Sequence, residues 1–132
     1  MKGLVLIIED DEILQSLLLS LLEKEHFTVL SAEDGCCGLQ LAQEFHPDVI
    51  ICDINLPKIN GFEVLKRLRS SLTTAKVPFI FYTSNSDSEC LHHAMQLGAN
   101  EYLIKPTSIR QLLESINHQI QLTRLESQKV IV

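Results

Sequence analysis

The sequence predicts an α/β fold, a doubly wound five-stranded parallel sheet with helices on both faces. Two observations carry that expectation. Short apolar runs alternate with segments whose apolar residues recur at helical spacing, the pattern of successive strand–helix units. The runs are also continuous in their apolar character, as in strands covered on both faces.

The first run, Leu4-Val5-Leu6-Ile7-Ile8, has no polar interruption. Ile13, Leu14, Leu17, Leu18, Leu21 and Leu22 follow at the spacing of a helical stripe. Phe27-Thr28-Val29-Leu30 is a second, shorter strand, and Leu39, Ala42 and Phe45 mark a second helix. Val49-Ile50-Ile51-Cys52 is the third strand, with Phe62, Leu65 and Leu68 forming a third helix after Gly61. Phe79-Ile80-Phe81-Tyr82, entered through Pro78, is the fourth strand. Leu91, Ala94, Met95 and Leu97 give a fourth helix that Gly98 should terminate as its C′ residue. Glu101-Tyr102-Leu103-Ile104 is the fifth strand, and Ile109, Leu112, Leu113, Ile116 and Ile120 define the last helix.

A chain of 132 residues fits one domain, and no repeat, low-complexity tract or Pro/Gly-rich linker divides it. The apolar runs are shorter than the roughly 18 residues of a membrane span. The N-terminus passes straight into the first strand without a small-residue cleavage site. A cytoplasmic protein without a membrane partner is therefore expected. The net charge of −6 argues against direct nucleic-acid binding, which depends on Lys and Arg neutralising phosphates. It suits a divalent cation or a basic partner surface better. Cys36, Cys37, Cys52 and Cys90 show no metal-ligand spacing, nor do the five histidines, so reduced, structural or incidental cysteines are expected.

In an open parallel sheet, ligands bind beyond the carboxyl ends of the strands, where strand order reverses; with order 2-1-3-4-5 that point lies between the first and third strands. The residues just past each strand therefore matter. Glu9 and Asp10, then Asp11 and Glu12, follow the first strand. Asp53 follows the third, with Asn55 two residues on; the fourth ends at Thr83 and Ser84; Lys105 and Pro106 follow the fifth. Taken singly, each has an ordinary reading. Asp11 and Glu12 suit the first turn of a helix, Asp53 could form a turn or cap, and Lys105 could be solvated. Their joint placement carries the functional reading. Three carboxylates held together repel, and a fold keeps such a cluster when a cation compensates it. All-oxygen donors favour Mg²⁺, Ca²⁺ or Mn²⁺ over Zn²⁺. Lys105 and the Thr83 hydroxyl could serve phosphoryl oxygens, and Asp53 could act as a nucleophile forming an aspartyl phosphate.

With these residues in place, the chain resembles the receiver domains of two-component response regulators over essentially its whole length. The carrying segments are Leu6-Ile7-Ile8-Glu9-Asp10-Asp11-Glu12, Asp53-Ile54-Asn55-Leu56-Pro57-Lys58-Ile59-Asn60-Gly61 and Gly98-Ala99-Asn100-Glu101-Tyr102-Leu103-Ile104-Lys105-Pro106. The resemblance implies a flavodoxin-like fold of strand order 2-1-3-4-5. It makes Asp53 the phosphoacceptor and places Mg²⁺, or Mn²⁺, on Asp10, Asp53, the Asn55 backbone carbonyl and, through water, Glu9. Thr83 matches the switch hydroxyl, Tyr102 the switch aromatic and Lys105 the phosphoryl-pairing lysine. Ser84 and Asn85 flank the site, a cis Lys105–Pro106 peptide is expected, and Gly61 fits a turn position that commonly needs positive φ. Thr107 departs from the Phe frequent after this proline. The implied phosphodonor is a histidine kinase or phosphotransfer protein. Phosphorylation would draw Thr83 toward the product and turn Tyr102 inward, altering the face of the fourth helix, fifth strand and fifth helix for a separate, unidentified downstream protein. His92, His93 and Arg110 are candidates for that face, each with an ordinary reading as a solvated residue.

Residues 1–125 are expected to form this domain and 126–132 a C-terminal tail without an effector domain. The protein is expected to be a monomer or weak dimer that catalyses its own phosphorylation and dephosphorylation yet acts primarily as a signalling switch. One alternative is a Mg²⁺-dependent phosphohydrolase working through an aspartyl phosphate. Such enzymes usually place the nucleophile after the first strand and add a cap, whereas Asp53 follows the third. A flavin or nucleotide carrier would want a Gly- or Ser/Thr-rich loop where Glu9 and Asp10 stand.

Overall fold

The structure, a computed structural model, describes residues 2–129. Its elements in chain order are β1 (Leu4–Ile8), α1 (Glu12–Lys24), β2 (Thr28–Ala32), α2 (Gly35–Phe45), β3 (Val49–Cys52), α3 (Gly61–Arg69), β4 (Phe79–Thr83), α4 (Ser88–Gln96), β5 (Glu101–Ile104) and α5 (Ile109–Lys129). The sheet runs β2-β1-β3-β4-β5 with every pairing parallel. This is the doubly wound order read from the sequence, and its reversal falls between β1 and β3. Opposite Ile8 lie Ala32 on β2 and Cys52 on β3. The carboxyl ends of these three strands therefore finish level at one rim.

Side-chain alternation along the strands builds two cores. Leu6, Ile8, Ile50, Cys52, Phe79 and Phe81 pack on one face with Ala42, Val64, Leu65, Leu68 and Ala94 of α2, α3 and α4. Val5, Ile7, Val49, Ile51, Ile80 and Tyr82 pack on the other with Leu18, Leu22, Leu112, Ile116 and Ile120 of α1 and α5. Each large side chain buried in this way contributes on the order of 2 kcal/mol of transfer free energy. Helix entries are set by side-chain caps. Asp11, Asp34, Asn60 and Asp87 each accept a backbone N–H of the first turn.

Four details depart from the expectations or extend them. The α1 stripe divides, with Leu18 and Leu22 in the core but Ile13 and Leu17 facing solvent at 83% and 53% exposure. Strand β2 begins after Phe27, which is buried all the same. Gly61 does not take a positive φ; Lys58 does, at 71°. What requires glycine at 61 is close approach, because a Cβ there would overlap the Asp53 carbonyl oxygen and come within 2.9 Å of Phe81 Cε1. Helix α5 continues to Lys129, so the boundary drawn at residue 125 falls inside a helix, and residues 130–132 of the expected tail lie outside the described residues.

The other predicted glycine behaves as its position requires. Gly98 has φ of 101°, its N–H bonds Met95 O, and the Ala99 N–H bonds Ala94 O, closing α4 in a Schellman turn. Among the described residues no helix is long and apolar enough to cross a membrane.

Candidate functional site

Strand β1 leads Glu9 out of the core with its backbone N–H on Ala32 O, and β3 does the same for Asp53 through Ile8 O. The two acids thus arise from neighbouring strands at the point of order reversal. Glu9 is 3% exposed and Asp53 9%, while Asp10, one residue farther, is exposed. One carboxylate oxygen from each of Glu9, Asp10 and Asp53 lies within 4.8 Å of the others.

Lys105 enters from β5. Its ammonium donates to Glu9 Oε1 at 2.7 Å and to Asp53 Oδ2 at 3.0 Å. The other Asp53 oxygen, Oδ1, accepts the Ile54 N–H at 2.7 Å, and Glu9 Oε2 accepts the Asp11 N–H. Burial pushes the Glu9 carboxyl above its ordinary range, against the pull of Lys105 and the Asp11 N–H. For Lys105, burial pulls the ammonium down, yet the two carboxylate hydrogen bonds and their charges outweigh it and hold it above its ordinary value. Three carboxylates against one ammonium leave a surplus of negative charge when all are ionised. The donor set is entirely oxygen, which fits a hard divalent cation such as Mg²⁺.

The remaining predicted residues surround this centre. Thr83 is fully buried at the end of β4, and its hydroxyl accepts the Asn85 N–H at 3.3 Å. The Tyr102 hydroxyl donates to Asn85 O at 2.7 Å, with its ring 6.0 Å from that of Phe81. Tyr102 is therefore half-buried, with its hydroxyl on the β4–α4 loop. Asn85 also donates to Cys90 Sγ and accepts the Asp87 N–H. Asn55 and Ser84 sit exposed on their loops, and the Lys105–Pro106 peptide is cis. His93 stacks edge-on against Phe62 of α3, with centroids 4.7 Å apart, so it faces the α3–α4 groove and not α5. His92 and Arg110 are exposed, and Arg110 pairs with Glu114 along its own helix.

Two residues at the rim were not singled out by sequence. The Gln15 side-chain amide donates to both Glu9 O and Ala32 O, tying the acidic loop to β2. Tyr82 lies beneath Lys105, whose ammonium is 5.6 Å from its ring centroid. A polar residue beside the α1 stripe and an aromatic directly before Thr83 were the available signals.

Comparison with known proteins decides the family, since residues 5–117 match the model of the response regulator receiver domain. The chain belongs to the response regulator receiver family. As a receiver domain it is 34% identical over 113 residues to Protein PilH of Pseudomonas aeruginosa, covering 86% of this chain and 93% of PilH. It is also 34% identical to the DNA-binding dual master transcriptional regulator RpaA of Synechocystis, covering 90% of this chain but 49% of RpaA. The receiver domain thus spans about half the length of some curated relatives it matches. Among solved structures, a CheY-like receiver domain protein from Methanospirillum hungatei superposes with a TM-score of 0.88 at 26% identity, covering 93% of this chain and 97% of that one. The receiver domain of sensor histidine kinase PA1611 from Pseudomonas aeruginosa, with a magnesium ion coordinated in the active site cleft, superposes with a TM-score of 0.84 at 25% identity. It covers 90% of this chain and 98% of that one.

Proposed function

We propose that this receiver domain is a phosphorylation switch in which Asp53 takes a phosphoryl group from a phosphohistidine on a histidine kinase or phosphotransfer protein. The observation that carries the reading is the convergence of Glu9, Asp10 and Asp53 within 4.8 Å, capped by the Lys105 ammonium. Asp10, Asp53 and the Asn55 carbonyl would hold Mg²⁺ (or Mn²⁺), with Glu9 contributing through water. Bound there, the cation would neutralise phosphoryl and carboxylate charge during transfer.

Asp53 Oδ2 faces Lys105 and is the oxygen free of the Ile54 N–H, so it is assigned the attack. Its bond to phosphorus forms as the P–N bond breaks, and the donor ring, protonated on its other nitrogen, takes the electron pair and leaves as neutral imidazole. Lys105 would then pair with a phosphoryl oxygen in place of the carboxylate, and the Thr83 hydroxyl would donate to another. Ile13, Leu14, Leu17 and Pro106 border one groove with Tyr82, Ser84 and Lys105, an apolar rim beside the nucleophile where the phosphodonor would dock. Leu91, Met95, Ile104 and Ile109 leave apolar surface exposed on α4, β5 and α5, consistent with an output face there.

The test is direct. Wild type incubated with Mg²⁺ and phosphoramidate should gain the mass of one phosphoryl group, and Asp53→Asn should not. Failure of wild type to label, or equal labelling of the variant, would overturn the assignment. Asp53 follows the third strand of the chain, where such phosphohydrolases usually place their nucleophile after the first. The phosphohydrolase alternative therefore draws no support, and turnover of a simple phosphate ester would be its evidence.

A further inference from the structure

We propose that Tyr82 is the positioning residue of Lys105, its ring facing the same ammonium that Glu9 and Asp53 hold. The inference rests on the phosphoryl-transfer reading of Asp53.

Tyr82 occupies the last position of β4 before Thr83 and is 6% exposed. Strand alternation points it away from Phe81, toward the core shared with α1 and α5. The Lys105 ammonium lies 5.6 Å from its ring centroid, within the range of a cation–π attraction. The same side chain reaches the turn beyond, where its hydroxyl faces the Thr107 N–H at 3.5 Å. Beside it, the Thr107 hydroxyl oxygen is buried without a hydrogen-bond partner. One aromatic side chain therefore underlies both Lys105 and the residue two positions on.

A core-filling role alone asks only for apolar bulk among Leu103, Leu112 and Ile116, and not for an aromatic face. The chemistry of the neighbouring groups separates the two roles. Glu9 and Asp53, which now hold the ammonium, are the same carboxylates assigned to the cation and the phosphoryl group. As those charges are taken up, their hold on Lys105 weakens, whereas the negative face of the Tyr82 ring keeps its attraction. The ring thus aims the ammonium at the incoming phosphoryl oxygens when the ground-state ion pairs no longer do.

The experiment compares initial labelling rates with phosphoramidate at saturating Mg²⁺ for wild type, Tyr82→Phe, Tyr82→Leu, Lys105→Met and the Tyr82→Leu/Lys105→Met double variant. Tyr82→Leu should slow labelling by roughly three- to tenfold, and Tyr82→Phe, which keeps the ring, should stay close to wild type. In the Lys105→Met background the Tyr82→Leu effect should vanish. A Tyr82→Leu rate equal to wild type, a Tyr82→Phe rate as low as Tyr82→Leu, or the same loss with and without Lys105 would each overturn the proposal. A second readout is independent of labelling and of the leucine variant's folding. The Lys105 ε-methylene protons should show an upfield ring-current shift in wild type and Tyr82→Phe, and its absence would overturn the contact. Failure of wild type to label would instead overturn the phosphoacceptor assignment, leaving the ring-current shift to decide the Tyr82 contact.

Discussion

Replacing Lys105 with methionine keeps the aliphatic stem and removes the only cation in contact with Glu9 and Asp53 among the described residues. At 2.7 and 3.0 Å the two ion pairs have a gross attraction of about 6 kcal/mol each at an effective dielectric of 20. Most of this is offset by the desolvation of the ammonium and carboxylates. Removing one partner of a buried pair costs roughly 3–5 kcal/mol. The lower end applies here, because the Lys105 side chain keeps 16% exposure and Glu9 can relieve the repulsion by taking a proton. A loss of about 3 kcal/mol would lower the melting midpoint of the metal-free protein by about 10 °C. Mg²⁺ supplies replacement positive charge, so its addition should raise the midpoint of Lys105→Met more than that of wild type. Thermal unfolding followed by circular dichroism, with and without Mg²⁺, measures both effects. Equal midpoints without metal, or equal Mg²⁺ responses, would refute the picture of a carboxylate cluster held by one ammonium.

Gly61→Ala forces a methyl group into the Asp53 carbonyl and the Phe81 ring, and should destabilise by about 2–3 kcal/mol in urea unfolding while slowing phosphoryl labelling. Asn100 Oδ1 accepts the Phe79 N–H at 2.8 Å and an Arg69 N–H at 3.1 Å; Asn100→Ala should cost roughly 2 kcal/mol in the same assay. The Asp34 carboxyl is held below its ordinary value by the Cys37 N–H, with help from Lys58, so its charge stabilises the fold above pH 3.8 and that benefit fades as pH falls through its lowered folded-state pKa. Wild type should therefore melt above Asp34→Asn at neutral pH, with the gap closing below pH 3.8 in a pH series of melting curves.

The positions of Glu9, Asp10, Asp53, Thr83 and Lys105 were legible because each follows an apolar run whose length fixes where the strand ends. Strand order then brings them to one rim. The orientation of α1 was not, since a stripe including both Ile13 and Leu18 is wider than the face one sheet can cover, and spacing alone does not choose the buried edge. At Gly61 the requirement is crowding and not torsion, and a sequence shows that a side chain is missing but not which of the two demands it. The positive φ instead falls on Lys58, a residue type with no signature for it. The Gln15 bonds join carbonyls 23 residues apart by way of a side chain with free rotamers, and no local pattern encodes that geometry.

The tie from Lys105 to Glu9 spans 96 positions of chain. Its consequence lies in biosynthesis. During translation the acidic loop and Asp53 emerge long before the lysine that offsets their charge, so an unfinished chain carries the repelling carboxylates without their counter-ion. The cluster of Glu9, Asp53 and Lys105 can close only after β5 has left the ribosome, and a protein truncated before that strand would hold the two carboxylates without their ammonium.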